Sequence, residues 1–131
     1  MIFHSGRIDE VADDIRALGG AERVLMNHEH ESLGGQTHFD APYYIHQDDK
    51  EAVTDTLQVA GTFKDREQLY DDLEVIPAPG HTPGTTLYLW DNGEHRYLFT
   101  GDFRFCCKIK IICTSIQNYK SKYCFNSKEF C

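Results

Sequence analysis

Three short segments of the sequence carry side chains that can bind metal ions or move protons. They are residues 27–35 (N-H-E-H-E-S-L-G-G), 78–85 (A-P-G-H-T-P-G-T) and 99–102 (F-T-G-D). If the first segment is extended, His28 and His30 point to the same side, because side chains alternate with a period of two. Pro79 and Pro83 stiffen the second segment and its glycines permit sharp corners, so we expect His81 to be presented rigidly.

The side chains of these segments suit a metal site. Neutral imidazole and carboxylate are good ligands for zinc, and acceptable ones for iron or manganese. We therefore predict that His28, His30, His81 and Asp102 bind a metal ion, with zinc favoured. Three imidazoles with an open fourth position let zinc lower the pKa of bound water to about 7, and the resulting hydroxide can attack a carbonyl. Asp102 would then orient the water or act as a general base.

Each segment taken singly also fits a plain loop or a tight turn. What strengthens the prediction is that all of them occur where a predicted strand ends. Short apolar or alternating runs predict strands at 23–26, 42–46, 73–78, 85–90 and 96–100, the last two joined by a hairpin around Asn92-Gly93. Helices are expected at 9–18, with Val11, Ile15 and Leu18 on one face, and at 48–56 and 65–73 on the surface. The fold class is therefore α/β (α+β), built in layers.

Other polar residues receive weaker interpretations. The aspartate pairs, including Asp48-Asp49, are expected on solvated helix faces. His46 is expected to cap or pack, although a place near the metal edge stays open. His4, His38 and His95 are expected in loops, and Trp90 in the packing of a sheet. Glu29 and Glu31 fit two roles equally: support of the imidazole N–H groups, or solvated acids.

Composition limits the function classes. The 131 residues carry 13 Lys+Arg against 21 Asp+Glu, a net charge of −8. This acidity argues against nucleic acid and against an anionic membrane surface, because both attract clusters of Lys and Arg. No apolar run approaches the ~18–20 residues of a membrane span, and the first residues lack the pattern of a signal peptide. We expect a soluble cytoplasmic protein that acts on a small molecule.

The chain changes character near residue 105. Residues 1–105 carry 8 basic and 20 acidic side chains, whereas residues 106–131 carry 5 and 1 and contain all five cysteines. The cysteine spacing contains no C-x2-C pair, which disfavours a zinc knuckle. We interpret 1–105 as one domain and 106–131 as a Cys/Lys-rich tail foreign to the fold, arising from a frameshift, read-through or an unspliced end. A redox or metal-binding extension, or unusual structure within the fold, remains an alternative.

The ordered segments resemble the motifs of the metallo-β-lactamase superfamily. That family's first metal motif begins H-x-H-x, as at His28–Glu31, its third ligand loop reads P-G-H-T-P-G-S, and its bridging carboxylate lies in a strand-ending G-D, as at Gly101-Asp102. The resemblance covers about residues 8–104 and implies an αββα sandwich with metals at the edge of two sheets. It implies that His28, His30, His81 and Asp102 serve the first metal in a metal-dependent hydrolase.

The chain departs from the family pattern at two ligand positions. Ser32 and Leu33 stand where the family has Asp and His, and the tail supplies no later histidine. The sequence therefore resembles a degenerate, C-terminally truncated member with one metal, cleaving an ester, thioester, amide or lactone if active. Two alternatives stay open: an inactive fragment or degenerate domain that binds a partner, and an iron-dependent oxidoreductase on the same scaffold.

Overall fold

The computed structural model describes residues 2–3, 8–34 and 40–103. His4, His38 and the tail at 106–131 lie outside the described residues, so their assignments stay predictions. The predicted division of the chain at residue 105 likewise stays a prediction.

The first sheet is parallel and has four strands in the described part of the chain. Its strands are β1 (Ile2–Phe3), β2 (Val24–Leu25), β3 (Tyr43–His46) and β4 (Val59–Phe63), and they lie side by side in that order. Val24 is in register with Tyr43, and Tyr43 with Val59. The predicted strands at 23–26 and 42–46 are confirmed.

Side chains that alternate along β2 contribute to two separate hydrophobic cores. Val24 and Met26 face the helices, whereas Leu25 between them faces the second sheet, and all three are fully buried. A parallel sheet is normally covered on both faces, so its strands are apolar on both sides. This explains why the sequence here is a continuous apolar run without a polar alternate.

The second sheet is antiparallel and is built from hairpins. Its strands are β5 (Glu67–Tyr70), β6 (Leu73–Pro77), β7 (Thr86–Asp91) and β8 (Arg96–Phe99), again adjacent in chain order. In the turn between β7 and β8, Asn92 Oδ1 accepts the backbone N–H groups of Glu94 and His95. The predicted strands at 73–78, 85–90 and 96–100 and their hairpin are confirmed.

The helices are short and pack on the outer face of the parallel sheet. They are α1 (Ala12–Ala17) and α2 (Lys50–Val53), each preceded by a 3-10 turn, at Ile8–Val11 and Gln47–Asp49. The predicted apolar face of 9–18 is wrong: Val11 is 46% exposed and Leu18 is 90% exposed. Ile8 and Ala12 are buried instead, because the 3-10 start rotates the helix relative to a continuous α-helical pattern.

The predicted surface helix at 65–73 is also wrong. These residues form β5 and the turn into β6, with Glu67 in register with Val75. Arg66 Nε lies 2.6 Å from Glu74 Oε1 on the neighbouring strand, and Leu69 and Tyr70 pack against the core between the sheets. Pairing with a neighbouring strand outweighs the local preference of this polar segment. Strand β4 was not predicted, because Gly61 interrupts its apolar pattern.

The layers follow the order helices, parallel sheet, antiparallel sheet within residues 8–103. The core between the sheets contains Leu25, Phe63, Leu73, Val75 and Tyr88. This arrangement confirms the predicted mixed fold class and a partial αββα sandwich. No helix in the part of the chain that the structure describes is long and apolar enough to cross a membrane.

Candidate metal centre

The first histidine segment leaves the end of β2 and is fixed at once to the other sheet. The side-chain amide of Asn27 donates to Thr86 O at 2.8 Å, and Thr86 N–H donates to Asn27 O at 2.8 Å. Tyr88 Oη donates to Met26 O at 2.6 Å just before this point. These hydrogen bonds join the two sheets next to His28 and fix its position relative to the antiparallel sheet.

The expected extended conformation of this segment is wrong. Glu29–Gly34 forms a 3-10 turn. Its local hydrogen bonds explain the turn: Ser32 Oγ donates to Glu29 O at 2.8 Å, and Glu31 Oε2 accepts Asn27 N–H at 2.7 Å. Ser and Glu commonly support the start of a helical turn in this way. The turn, rather than strand alternation, brings His28 and His30 together.

The third histidine, His81, lies in a tight loop between β6 and β7. Ala78 N–H donates to Thr85 O at 2.8 Å across the base of the loop, and Gly80 N–H donates to Thr82 O at 3.1 Å. Thr85 Oγ1 accepts Thr82 N–H at 2.8 Å. These bonds confirm the expected rigid turn and present His81 towards the first histidine segment.

The carboxylate of Asp102 follows β8. Gly101 precedes it with a φ of 50°, a conformation that glycine adopts without strain. A Cβ atom on Gly101 would lie 2.8 Å from Asn27 Cβ, so the absence of a side chain lets the two segments approach. Asp102 Oδ2 lies 3.7 Å from His28 Nε2, and the Asp102 side chain is 56% exposed.

The three imidazoles form one cluster. The ring centroids are 5.3 Å apart for His28 and His30, 4.7 Å for His28 and His81, and 4.9 Å for His30 and His81, with interplanar angles of 73–88°. One ligand nitrogen from each ring lies within 4.8 Å of the others. His30 Nδ1 and His81 Nε2 are 3.0 Å apart. Rings nearly perpendicular to each other, with one nitrogen of each close to the other two, are compatible with imidazoles that surround a cation.

The environment of His28 favours the neutral imidazole. Burial lowers its pKa from 6.5, and the neighbouring His81 lowers it further, while Asp102 raises it. Both ring nitrogens of His28 are buried and lack a hydrogen-bond partner among the described residues. A buried polar atom without a partner carries a cost that a ligand can remove. The donor set therefore fits a metal ion, because metal binding requires a neutral ring and gives the nitrogen a partner.

Two glutamates flank the imidazoles. Glu29 Oε1 lies 3.4 Å from His30 Nε2, and Glu31 Oε1 lies 4.0 Å from His28 Nδ1. The pKa of Glu31 is raised from 4.5 to about 7, because burial raises it more than the hydrogen bond from Asn27 N–H lowers it. Support of an imidazole N–H fits Glu29 beside His30, since metal-binding histidines commonly donate their other N–H to a carboxylate. Glu31 makes no hydrogen bond to the His28 ring and accepts Asn27 N–H instead.

The sequence interpretation was wrong about one aspartate. Asp49 was expected on a solvated helix face, but its exposed fraction is 0%. Its carboxylate accepts hydrogen bonds from Glu29 N–H, Thr82 Oγ1 and Gly84 N–H. These donors belong to both histidine segments, so the burial depends on contacts between distant parts of the chain. The clue in the sequence is Gly84, whose lack of a side chain leaves room for this carboxylate.

The remaining predicted residues lie apart from the cluster or do not contribute to it. Ser32 is buried with its hydroxyl bonded to Glu29 O, and Leu33 is 82% exposed. His46 is buried, with Nε2 bonded to Lys64 O at 2.9 Å and Nδ1 accepting Asp48 N–H, which is the expected capping role. His95 lies in the exposed hairpin turn.

This fold was compared with known proteins. No family model matches the sequence. Among curated proteins, the uncharacterized protein YmaE of Bacillus subtilis (strain 168) is 30% identical over 96 residues, covering 69% of this chain and 35% of that protein.

Solved structures give the fold. The hydrolase AbOPH of the β-lactamase superfamily matches with a TM-score of 0.59 and 19% identity, over 76% of this chain and 50% of that one. The MIM-2 metallo-β-lactamase matches with a TM-score of 0.51 and 20% identity, over 69% of this chain and 44% of that one. An N-acyl homoserine lactone hydrolase, with product bound at its catalytic metal centre, matches with a TM-score of 0.51 and 13% identity, over 68% of this chain and 42% of that one. The chain thus adopts part of the metallo-β-lactamase fold. It spans about a third to a half of the length of these relatives.

Proposed function

We propose that the cluster binds one metal ion through His28, His30 and His81, with Asp102 beside it as a fourth ligand or as the carboxylate that orients a bound water. The observation that supports this is the convergence of three imidazole nitrogens within 4.8 Å of one another. The neutral, unpartnered ring of His28 adds to it. Imidazole and carboxylate donors favour zinc, and they also accept iron or manganese.

The positions beside the cluster favour one ion over two. Ser32 and Leu33 stand where the related family carries ligands of a second ion. The Ser32 hydroxyl is engaged with Glu29 O, and the Leu33 side chain is exposed and has no donor atom. Neither residue supplies a ligand, so the second ion lacks the donors that the family provides.

The chemistry proposed for the centre is hydrolysis. A bound zinc supplies Lewis-acid polarisation and makes water acidic enough to react at neutral pH. Asp102 lies on the exposed side of the cluster, 3.7 Å from His28 Nε2, where its carboxylate can orient a water molecule and accept its proton. His28 is buried, His81 is half-buried and His30 is exposed, so the cluster is open to solvent at His30.

The proposed substrate is a small molecule with an ester, thioester, amide or lactone carbonyl. A polarised carbonyl is the group on which a Lewis acid and a carboxylate base act together. The structural likeness to an N-acyl homoserine lactone hydrolase with a catalytic metal centre supports lactones as the first compounds to test.

Metal binding is the first experiment. Metal-free protein is titrated with zinc by calorimetry and with cobalt by absorption, and we expect one ion per chain. His81→Ala should abolish stoichiometric binding, because it removes one of the three imidazoles. His95→Ala is the matched control, since His95 lies in the exposed hairpin turn. Wild-type protein that binds neither ion would overturn the proposal.

Catalysis is the second experiment. The zinc-loaded protein is assayed with an activated ester and with acyl homoserine lactones, each with and without chelator. Asp102→Asn should lower kcat because the amide cannot accept a proton. A protein that binds zinc but hydrolyses none of these compounds would favour the alternative of a non-catalytic, metal-binding domain.

A further inference from the structure

A buried carboxylate outside the imidazole cluster is unused by the chemistry above. Asp49 occupies the N-cap position of α2, where an aspartate usually accepts a backbone N–H of the first helical turn. Here its side chain makes no capping hydrogen bond. The carboxylate is directed away from its own helix, although capping would stabilise that helix.

Its two oxygens reach both histidine segments. Asp49 Oδ2 accepts Glu29 N–H at 3.1 Å and the Thr82 hydroxyl at 2.5 Å. Asp49 Oδ1 accepts Gly84 N–H at 2.7 Å. Glu29 lies between the first two histidines, and Thr82 directly follows the third. One fully buried side chain therefore connects the backbone that carries all three imidazoles.

The neighbouring residues are shaped for this carboxylate. A Cβ on Gly84 would lie 2.5 Å from Asp49 Cγ, so only glycine leaves room for it. Thr82 Oγ1 also lies 3.0 Å from Thr85 Oγ1, and the Thr85 hydroxyl accepts Thr82 N–H. The hydroxyl of Thr82 is thus oriented by its own loop towards Asp49.

We propose that Asp49 is a positioning residue of the metal centre, which ties the Glu29–Gly34 turn to the loop at 78–85 so that His81 meets His28 and His30. The proposal rests on the proposed function in that the aligned imidazoles serve a metal. Metal ligands depend on surrounding hydrogen bonds for their orientation, and removal of such a partner typically lowers metal affinity 10–100-fold.

The test compares Asp49→Asn with Asp48→Asn, which is the same chemical change one residue earlier. Asp48 is 51% exposed and lies near His46, away from the cluster. We expect Asp49→Asn to weaken zinc binding about 10–100-fold. We expect Asp48→Asn to bind like the wild type. The cobalt spectrum of Asp49→Asn should also change, because the ligand geometry changes.

A second pair of variants guards against misfolding of Asp49→Asn. Thr82→Val removes the hydroxyl donor at constant shape, whereas Thr82→Ser keeps it. We expect Thr82→Val to weaken zinc binding and Thr82→Ser to bind zinc like the wild type. A purely structural role would lower the Tm of the metal-free protein and leave the Tm increase on zinc addition unchanged. That result would overturn the proposal, as would wild-type zinc affinity in both Asp49→Asn and Thr82→Val.

A measurement without metal separates this proposal from the proposed function. Amide exchange of the metal-free protein should show Glu29 and Gly84 protected in the wild type and exposed in Asp49→Asn, with the strands unchanged. If wild-type protein binds no zinc but Asp49→Asn shows this local loss of protection, the proposed function fails and Asp49 still joins the two segments. If protection of both amides survives in Asp49→Asn, the positioning role is wrong.

Discussion

The protonation of Glu31 gives a prediction whose size follows from the structure. Its side chain is 17% exposed, and burial raises its pKa from 4.5 to about 7. In the unfolded chain this group loses its proton near pH 4.5, whereas in the folded chain it keeps the proton until about pH 7. Glu31 therefore favours the folded state below pH 4.5, and this contribution is lost as the pH rises to about 7 and above.

The magnitude is about 3 kcal/mol. It follows from the shift of 4.5 to about 7 at roughly 1.4 kcal/mol per pKa unit. Glu31→Gln removes the titration but keeps an oxygen that accepts Asn27 N–H. We therefore expect the unfolding free energy of the variant, relative to the wild type, to rise by about 2.5 kcal/mol between about pH 5 and about pH 8.

The assay is urea unfolding of both proteins at several pH values. A chelator is present, because a cation beside His28 would stabilise the ionised carboxylate. Titration of His28 itself occurs in both proteins, so the difference between them isolates Glu31. Glu94→Gln, in the exposed hairpin turn, controls for the change in net charge. If the curves for wild type and Glu31→Gln stay parallel across this pH range, the buried, protonated carboxyl is refuted.

Three further changes test the structure around the cluster. Gly101→Ala should lower the unfolding free energy by about 2 kcal/mol, measured in urea, because its φ is 50° and the added Cβ would meet Asn27. Tyr88→Phe should cost about 1–2 kcal/mol in the same assay, since it leaves Met26 O without this donor; an unchanged midpoint would contradict the hydrogen bond. Leu33→Lys should change stability by less than about 0.5 kcal/mol and leave zinc binding intact, because Leu33 is 82% exposed; loss of binding would place it at the metal.

The histidine cluster was predictable because residue type and position at strand ends are local properties. The structure brings His28, His30 and His81 together, and Asp102 lies 3.7 Å from His28 Nε2. Their role as metal ligands stays a prediction. The strands rich in apolar residues were predictable for the same reason. The backbone conformation at His28–His30 was not, because the bonds of Ser32 and Glu31 create a turn in place of a strand.

The remaining differences depend on contacts that sequence spacing does not show. Asp49 is buried by hydrogen-bond donors that lie 33 and 35 residues later in the chain. Its neighbour Asp48 shares the same local sequence pattern but is 51% exposed, so local sequence cannot distinguish the two. The polar segment at 65–73 becomes a strand because β6 offers it a partner, as the pair Arg66–Glu74 shows. In both cases long-range pairing decides the outcome.

The position of the imidazoles across the two sheets has a consequence for cooperativity. His28 follows a parallel strand and His81 precedes an antiparallel one, so the proposed ion would join two sheets that also meet through an apolar core and the Asn27–Thr86 hydrogen bonds. An ion held by both sides binds only when the sheets are docked, and it lowers the population of partly opened states. Withdrawal of the ion should therefore loosen the junction of the sheets before it melts either sheet.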